Sequence, residues 1–223
     1  MTTPYYSDDL VDLYHGDCLR EPAWQDADVL LTDPPYGMAY VSGHRRTREP
    51  IAGDQSSHLR DAVVLMWLAG RTPVRPGVVF GTWRVAPPGG ERQRLVWHKR
   101  GNGPGMGNLR MPWGTSHEDI HVMGDGWDVS KTGVKRAGSV LVTDVQMGGR
   151  YGEVARAGHP TAKPVELLAR LLAVCPPGVV ADPFAGAGAT LLAARQLGRR
   201  AIGVELEERY CEIAARRLAE AAS

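Results

Sequence analysis

Residues 178–206 read GVVADPFAGAGATLLAARQLGRRAIGVEL, and this stretch narrows the fold more than any other. A short apolar run closes on Asp182, and a turn built on Phe184, Gly186 and Gly188 follows. A helix begins near Ala189, and a second apolar run ends in Glu205. Two strands joined through a helix by tight loops lie parallel, because an antiparallel pair would close through a hairpin. The periodicity predicts helices over 163–175, with proline in the first turn, over 189–197 and over 207–220. Further strands are expected at 28–33, 77–83, 94–100 and 118–124, with a helix at 59–70. Residues 125–158 read as an irregular excursion or a hairpin around SVLVTDV (139–145). One α/β domain is expected, with loop insertions at about 41–58 and 101–158.

The chain has 223 residues, enough for one substantial core. No apolar run approaches the roughly 20 residues of a membrane span. The start, MTTPYYSDDL, lacks the basic end and apolar core of a signal peptide, so the expected location is the cytoplasm. Cys18, Cys175 and Cys211 are an odd number at wide spacing, which fits reduced thiols, and no CxxC pair offers a thiolate zinc site. A net charge of +1 argues neither for nor against nucleic acid. Arginine outnumbers lysine 22 to 4, as a GC-rich genome would produce. Two clusters, GHRRTR (43–48) and WHKRGNG (97–103), offer Arg45, Arg46, Arg48, Lys99 and Arg100 to phosphates, or are solvated loops.

Glycines at 186 and 188 let backbone approach a ligand, and the helix behind them turns its N–H groups and positive dipole toward an anion. Glu205, about twenty residues from the turn, stands where nucleotide-binding α/β folds put a carboxylate on ribose hydroxyls. The dinucleotide fingerprint is incomplete at Leu191 and the phosphate-loop lysine is missing. A nucleoside without pyrophosphate therefore fits better, and S-adenosylmethionine carries a ribose diol for Glu205 and a carboxylate for the turn.

With TDPPYG (32–37), YHGDCL (14–19) and GHPTAKPVELLARL (158–171) added to DPFAGAGAT and GVEL, the chain resembles the DNA amino-methyltransferases of the beta group, catalytic motif first and cofactor turn last. The resemblance implies a single-domain class I methyltransferase fold, Rossmann-like, with a seven-stranded, largely parallel sheet and helices on both faces. It implies S-adenosylmethionine across the carboxyl ends of the strands. Asp182, Phe184, Ala185, Gly186 and Gly188 would form the cofactor turn, and Glu205 with Leu206 would hold the ribose. Asp17 and Cys18 would border the adenine, and Thr161 and Lys163 would reach the methionine carboxylate. Where the family has hydroxyl residues in the turn, this chain has Ala187 and Ala189, so Thr190 is expected to cover for them.

The same resemblance gives Asp33, Pro34, Pro35 and Tyr36 the catalytic role. An exocyclic base amine is a poor nucleophile, since its lone pair is delocalised into the ring. Acceptors that hold its N–H protons in the transition state restore that lone pair. The Asp33 carboxylate and the Pro34 carbonyl form such a pair, and the prolines fix it with little entropy left to lose. Tyr36 would stack on a base flipped out of duplex DNA. The aspartate favours adenine N6, because cytosine-N4 enzymes of the family more often carry serine there. Cytosine N4 methylation, a binding module without turnover, and an RNA or protein amide substrate are the competing readings. Double-stranded DNA is the expected partner, with a second copy of the chain left open.

SHEDIH also contains the zinc-protease string H-E-x-x-H at His117, Glu118 and His121. That chemistry needs a helix, whereas glycines at 114 and 124 and the alternation of Ile120 and Val122 with His121 and Met123 read as a strand. No metal is expected. Trp97, Trp113 and Trp127 could touch bases, but packing is the expected role.

Overall fold

The computed structural model describes residues 3–35, 37, 56–69, 73–100, 110, 112–128, 130, 132–143 and 162–222. Among them are nine strands in one sheet: β1 (Tyr6–Ser7), β2 (Val11–His15), β3 (Val29–Thr32), β4 (Gly77–Gly81), β5 (Glu91–Lys99), β6 (His117–Met123), β7 (Val140–Thr143), β8 (Val180–Asp182) and β9 (Ala201–Glu205). The helices are α1 (His58–Ala69), α2 (Val165–Ala173), α3 (Ala189–Gln196) and α4 (Glu208–Ala222), with a short 3-10 turn at Ala23–Asp26.

The strand order is β1-β2-β9-β8-β3-β4-β6-β5-β7. Only β1 and β6 run against the other strands. The seven inner strands, β2 to β5, form the expected largely parallel sheet, and β1 and β7 extend its two edges. From β3 the chain winds outward to β4, and from β8 it winds the other way to β9, so the order reverses between β8 and β3. Open α/β sheets bind ligands at the carboxyl ends of the strands flanking such a reversal.

Side chains alternate across each strand, which divides the core in two. Val29, Leu31, Val78, Phe80 and Val180 face the layer of α2, α3 and α4, where Leu167, Leu171, Leu191 and Leu218 are buried. Leu30, Val79 and Ala181 face the opposite layer, where Trp24 of the 3-10 turn and Trp67 of α1 stack at 6.2 Å between ring centroids. The parallel strands are therefore apolar on both faces, as a sheet covered by helices on both sides requires. All three cysteines are buried free thiols. Among the described residues no helix is long and apolar enough to cross a membrane.

Residues 117–123 form a strand, as their alternation predicts. A strand rises about 3.3 Å per residue, which separates His117 from His121 by roughly 13 Å and rules out joint chelation of one ion. His121 instead meets Glu91, Nδ1 to Oε1 2.7 Å, and packs against the backbone of Gly81, where an added Cβ would lie 2.4 Å from its Nε2.

Candidate active site

β3 and β8 are hydrogen-bonded neighbours, with Val29 opposite Val180 and Leu30 opposite Ala181. Their carboxyl ends therefore emerge side by side, carrying Asp33 and Asp182. The Thr32 hydroxyl donates to Asp182 Oδ1 (2.7 Å) across this seam, and the Phe184 N–H donates to the same oxygen (3.1 Å). Asp182 is 3% exposed, and burial pushes its pKa up to about 6, against the pull of hydrogen bonds from Thr190 and Thr32. Thr190 is itself buried and bonded to Asp182, which puts its hydroxyl behind the turn as support.

Beyond Asp182 the turn relies on Gly186 (φ 50°) and Gly188 (φ 78°), both in the left-handed region that side chains disfavour. Gly188 caps α3, and a Cβ there would lie 3.0 Å from the Ala214 Cβ of α4. Arg217 of α4 also donates to the Ala187 carbonyl. The turn is thus clamped from outside by α4.

Glu205 ends β9 and braces the turn from the other side. Its Oε2 accepts the Gly186 N–H and its Oε1 the Glu207 N–H, both at 2.8 Å. Burial pushes its pKa up, opposed by those two backbone donors. Leu206 beside it is 54% exposed, large for an apolar side chain, and an added Cβ at Gly16 would meet nothing within 4 Å. An ordered acid, an uncovered leucine and open space over the end of β2 make a cradle suited to a ribose and a flat ring. Asp17 lies at its margin, its Oδ1 accepting the Leu19 N–H at 2.9 Å. Cys18 is buried, its carbonyl accepting the Trp24 indole N–H (2.8 Å), and burial pushes its thiol up to about 12.

At the other end of the seam Asp33 forms an ion pair with Lys163, which immediately precedes the Pro164 cap of α2. Lys163 is 6% exposed, lies 5.1 Å from the Phe80 ring centroid, and has Glu118 Oε2 at 3.4 Å. In the sequence Glu118 stands out only within the H-E-x-x-H string. Lys99 pairs with Glu118 and lies 4.8 Å from the Trp97 ring centroid. Lys99 is thus engaged inside the rim, while Arg100, the next residue, is exposed.

Trp97 is fully buried, donating to Thr143 Oγ1 at 2.9 Å, and Trp127 donates to the Met123 carbonyl at 2.8 Å. Trp113 is 85% exposed, contrary to the packing expected of it, and Trp83, which no sequence pattern marks, is 56% exposed. Trp83 follows the end of β4 and Trp113 precedes β6, so both flank the carboxyl edge. Tyr36, Thr161, Arg45, Arg46 and Arg48 lie outside the described residues, as do most of the insertions at about 41–58 and 101–158.

The sheet, with its cleft at the switch point, has the fold of class I methyltransferases. M1.HpyAVI, solved in its SAM complex, is similar with a TM-score of 0.63 and 21% identity, over 94% of this chain and 99% of that one. The cytosine-N4-specific PvuII DNA methyltransferase is similar with a TM-score of 0.66 and 15% identity, over 96% and 88%. In sequence, YubD of Escherichia coli (strain K12), a methylase by inference, is 32% identical over 219 residues, 92% of this chain and 88% of its own. The family model described as DNA methylase matches residues 91–216. The chain belongs to the N6/N4 DNA methyltransferase family.

Proposed function

We propose that this chain methylates the exocyclic N6 of adenine in duplex DNA, with S-adenosylmethionine as donor. The observation that carries the reading is the Thr32–Asp182 hydrogen bond, which makes the strand bearing Asp33 and the strand bearing the cofactor turn one rigid edge. Bound there, the cofactor supplies an electrophilic methyl group. Glu205 and Leu206 hold its ribose and Asp17 and Cys18 border its adenine. Lys163 lies near enough to the seam to meet its carboxylate together with Thr161.

The chemistry left to the protein is to make an amine nucleophilic. Asp33 and the Pro34 carbonyl accept the two amine protons, so that lone-pair density returns to nitrogen as the new N–C bond forms and the methyl–sulfur bond breaks. The amine proton leaves toward Asp33 or water. Tyr36 serves as the stacking platform for the flipped base, whose extrusion costs a few kcal/mol. Arg45, Arg46, Arg48 and Arg100 contact phosphates, and the parts of 41–58 and 101–158 that lie outside strands β6 and β7 read the target sequence. Aspartate at the head of the motif favours adenine over cytosine.

The test is incubation with labelled cofactor and unmethylated duplex DNA, then digestion to nucleosides. Label in N6-methyladenosine of the deoxy series is expected, whereas label in N4-methylcytidine would refute the adenine reading. Asp33→Ala is expected to lower kcat by about 100-fold or more, as removal of a transition-state partner does.

A further inference from the structure

Four charged side chains of alternating sign run in a row from the seam to the rim: Asp33, Lys163, Glu118 and Lys99. The row exists because β6 is reversed. Its amino end therefore lies at the carboxyl edge, where Glu118 sits opposite Trp97 of β5 and on the same face as Ile120. That face is the one covered by α2, whose leading residues bring in Lys163. Phe80 and Trp97 form the apolar floor under the two ammonium groups.

A lysine so buried needs anionic neighbours to stay charged. Burial alone would depress Lys163, but Asp33 and then Glu118 overcome it and raise its pKa above the usual lysine value. Burial likewise would raise Glu118, and Lys163 and Lys99 reverse it, holding its carboxyl below the usual range. Asp33 therefore faces a cation whose charge and place depend on a residue from another strand.

We propose that Glu118 is a positioning residue for methyl transfer: paired with Lys99, it holds the Lys163 ammonium against Asp33 and so fixes the orientation of the acceptor carboxylate. The proposal rests on the reading of Asp33 as that acceptor. The Lys163 ammonium pairs with both Glu118 and Asp33, so the effect of Glu118 on Asp33 passes through Lys163.

The experiment compares wild type, Glu118→Gln and Glu118→Asp as full chains, in pH–rate profiles with unmethylated duplex DNA and S-adenosylmethionine. Alkaline unfolding of each chain without ligands is followed by circular dichroism. Glu118→Gln is expected to lower kcat by about tenfold to a hundredfold, with KM for DNA nearly unchanged, as misplacement of a reacting group does. It also removes one of the two carboxylates that keep Lys163 protonated, so the alkaline limb moves to lower pH. Lys163 stabilises the fold while protonated, and that contribution is lost as pH rises through its folded pKa. Alkaline unfolding therefore also begins at lower pH in Glu118→Gln. Glu118→Asp keeps the charge but withdraws it by one methylene, giving smaller shifts in the same direction and a kcat nearer wild type. If neither variant moves the alkaline limb or the alkaline unfolding, the proposal is overturned. If wild type transfers no methyl group while Glu118→Gln still shifts alkaline unfolding, the reading of Asp33 fails and the Glu118–Lys163 coupling stands without a catalytic role.

Discussion

Asp182→Asn should make the ligand-free protein more stable at neutral pH, although it removes a buried, hydrogen-bonded carboxylate. Burial pushes Asp182 up to about 6 from an ordinary value of 3.8. The folded chain thus holds this proton more tightly than the unfolded chain does. The stabilising contribution is complete below about pH 4 and is lost as pH rises through 6. Above that, the ionised carboxylate destabilises the fold by about two pKa units at 1.36 kcal/mol each, or roughly 3 kcal/mol. Asparagine keeps an acceptor oxygen for the Thr32 hydroxyl and the Phe184 N–H. A poorer bond to Thr190 would forfeit about 1 kcal/mol. The net expectation at pH 8 is a gain of about 2 kcal/mol, or some 4–8 °C in Tm for a chain of this size. The assay is thermal and urea unfolding at steps between pH 4 and pH 8. A gain that does not shrink toward pH 4, or a loss at pH 8, would refute the reasoning.

Gly188→Ala forces a side chain into φ 78° and sets its Cβ 3.0 Å from Ala214, so a loss of about 1–2 kcal/mol in urea unfolding is expected. Trp113→Ala should leave the unfolding midpoint unchanged, because the ring is 85% exposed, yet weaken binding to duplex DNA. Loss of one aromatic contact to a base corresponds to about 1–3 kcal/mol, readable by fluorescence anisotropy.

The parts of this molecule legible in the sequence are those whose chemistry is local. The turn at 184–188 announced itself because glycine tolerates positive φ, and the structure finds α3 starting at Ala189 where the turn implies. β3 and β8 were legible as short apolar runs, since both of their faces are buried. β1 and β2 were not anticipated: YYSDDLVDLYHGD mixes acids with apolar residues, as edge and near-edge strands can, and carries no strong period. At the site the outcome follows the same division. Asp33 could be singled out beside its prolines, but its pairing with Lys163 spans 130 residues and depends on how α2 meets β3. Glu118 was visible only as part of a string with another meaning. Thr190 was legible as a hydroxyl near the turn, but its burial and its bond to Asp182 were not, because they depend on how α3 packs on β8.

The Thr32–Asp182 bond joins residues 150 apart in sequence at the line where the sheet reverses. In-line transfer is sensitive to displacements of an ångström, and on the proposed reading that alignment is inherited from a backbone ladder and one buried side-chain bond. Donor and acceptor pockets so placed would move as one body, and loops elsewhere on the rim could change in length and composition without disturbing their spacing. A relative could thus acquire a new target sequence through its loops alone, while the distance that governs its turnover stays as it was.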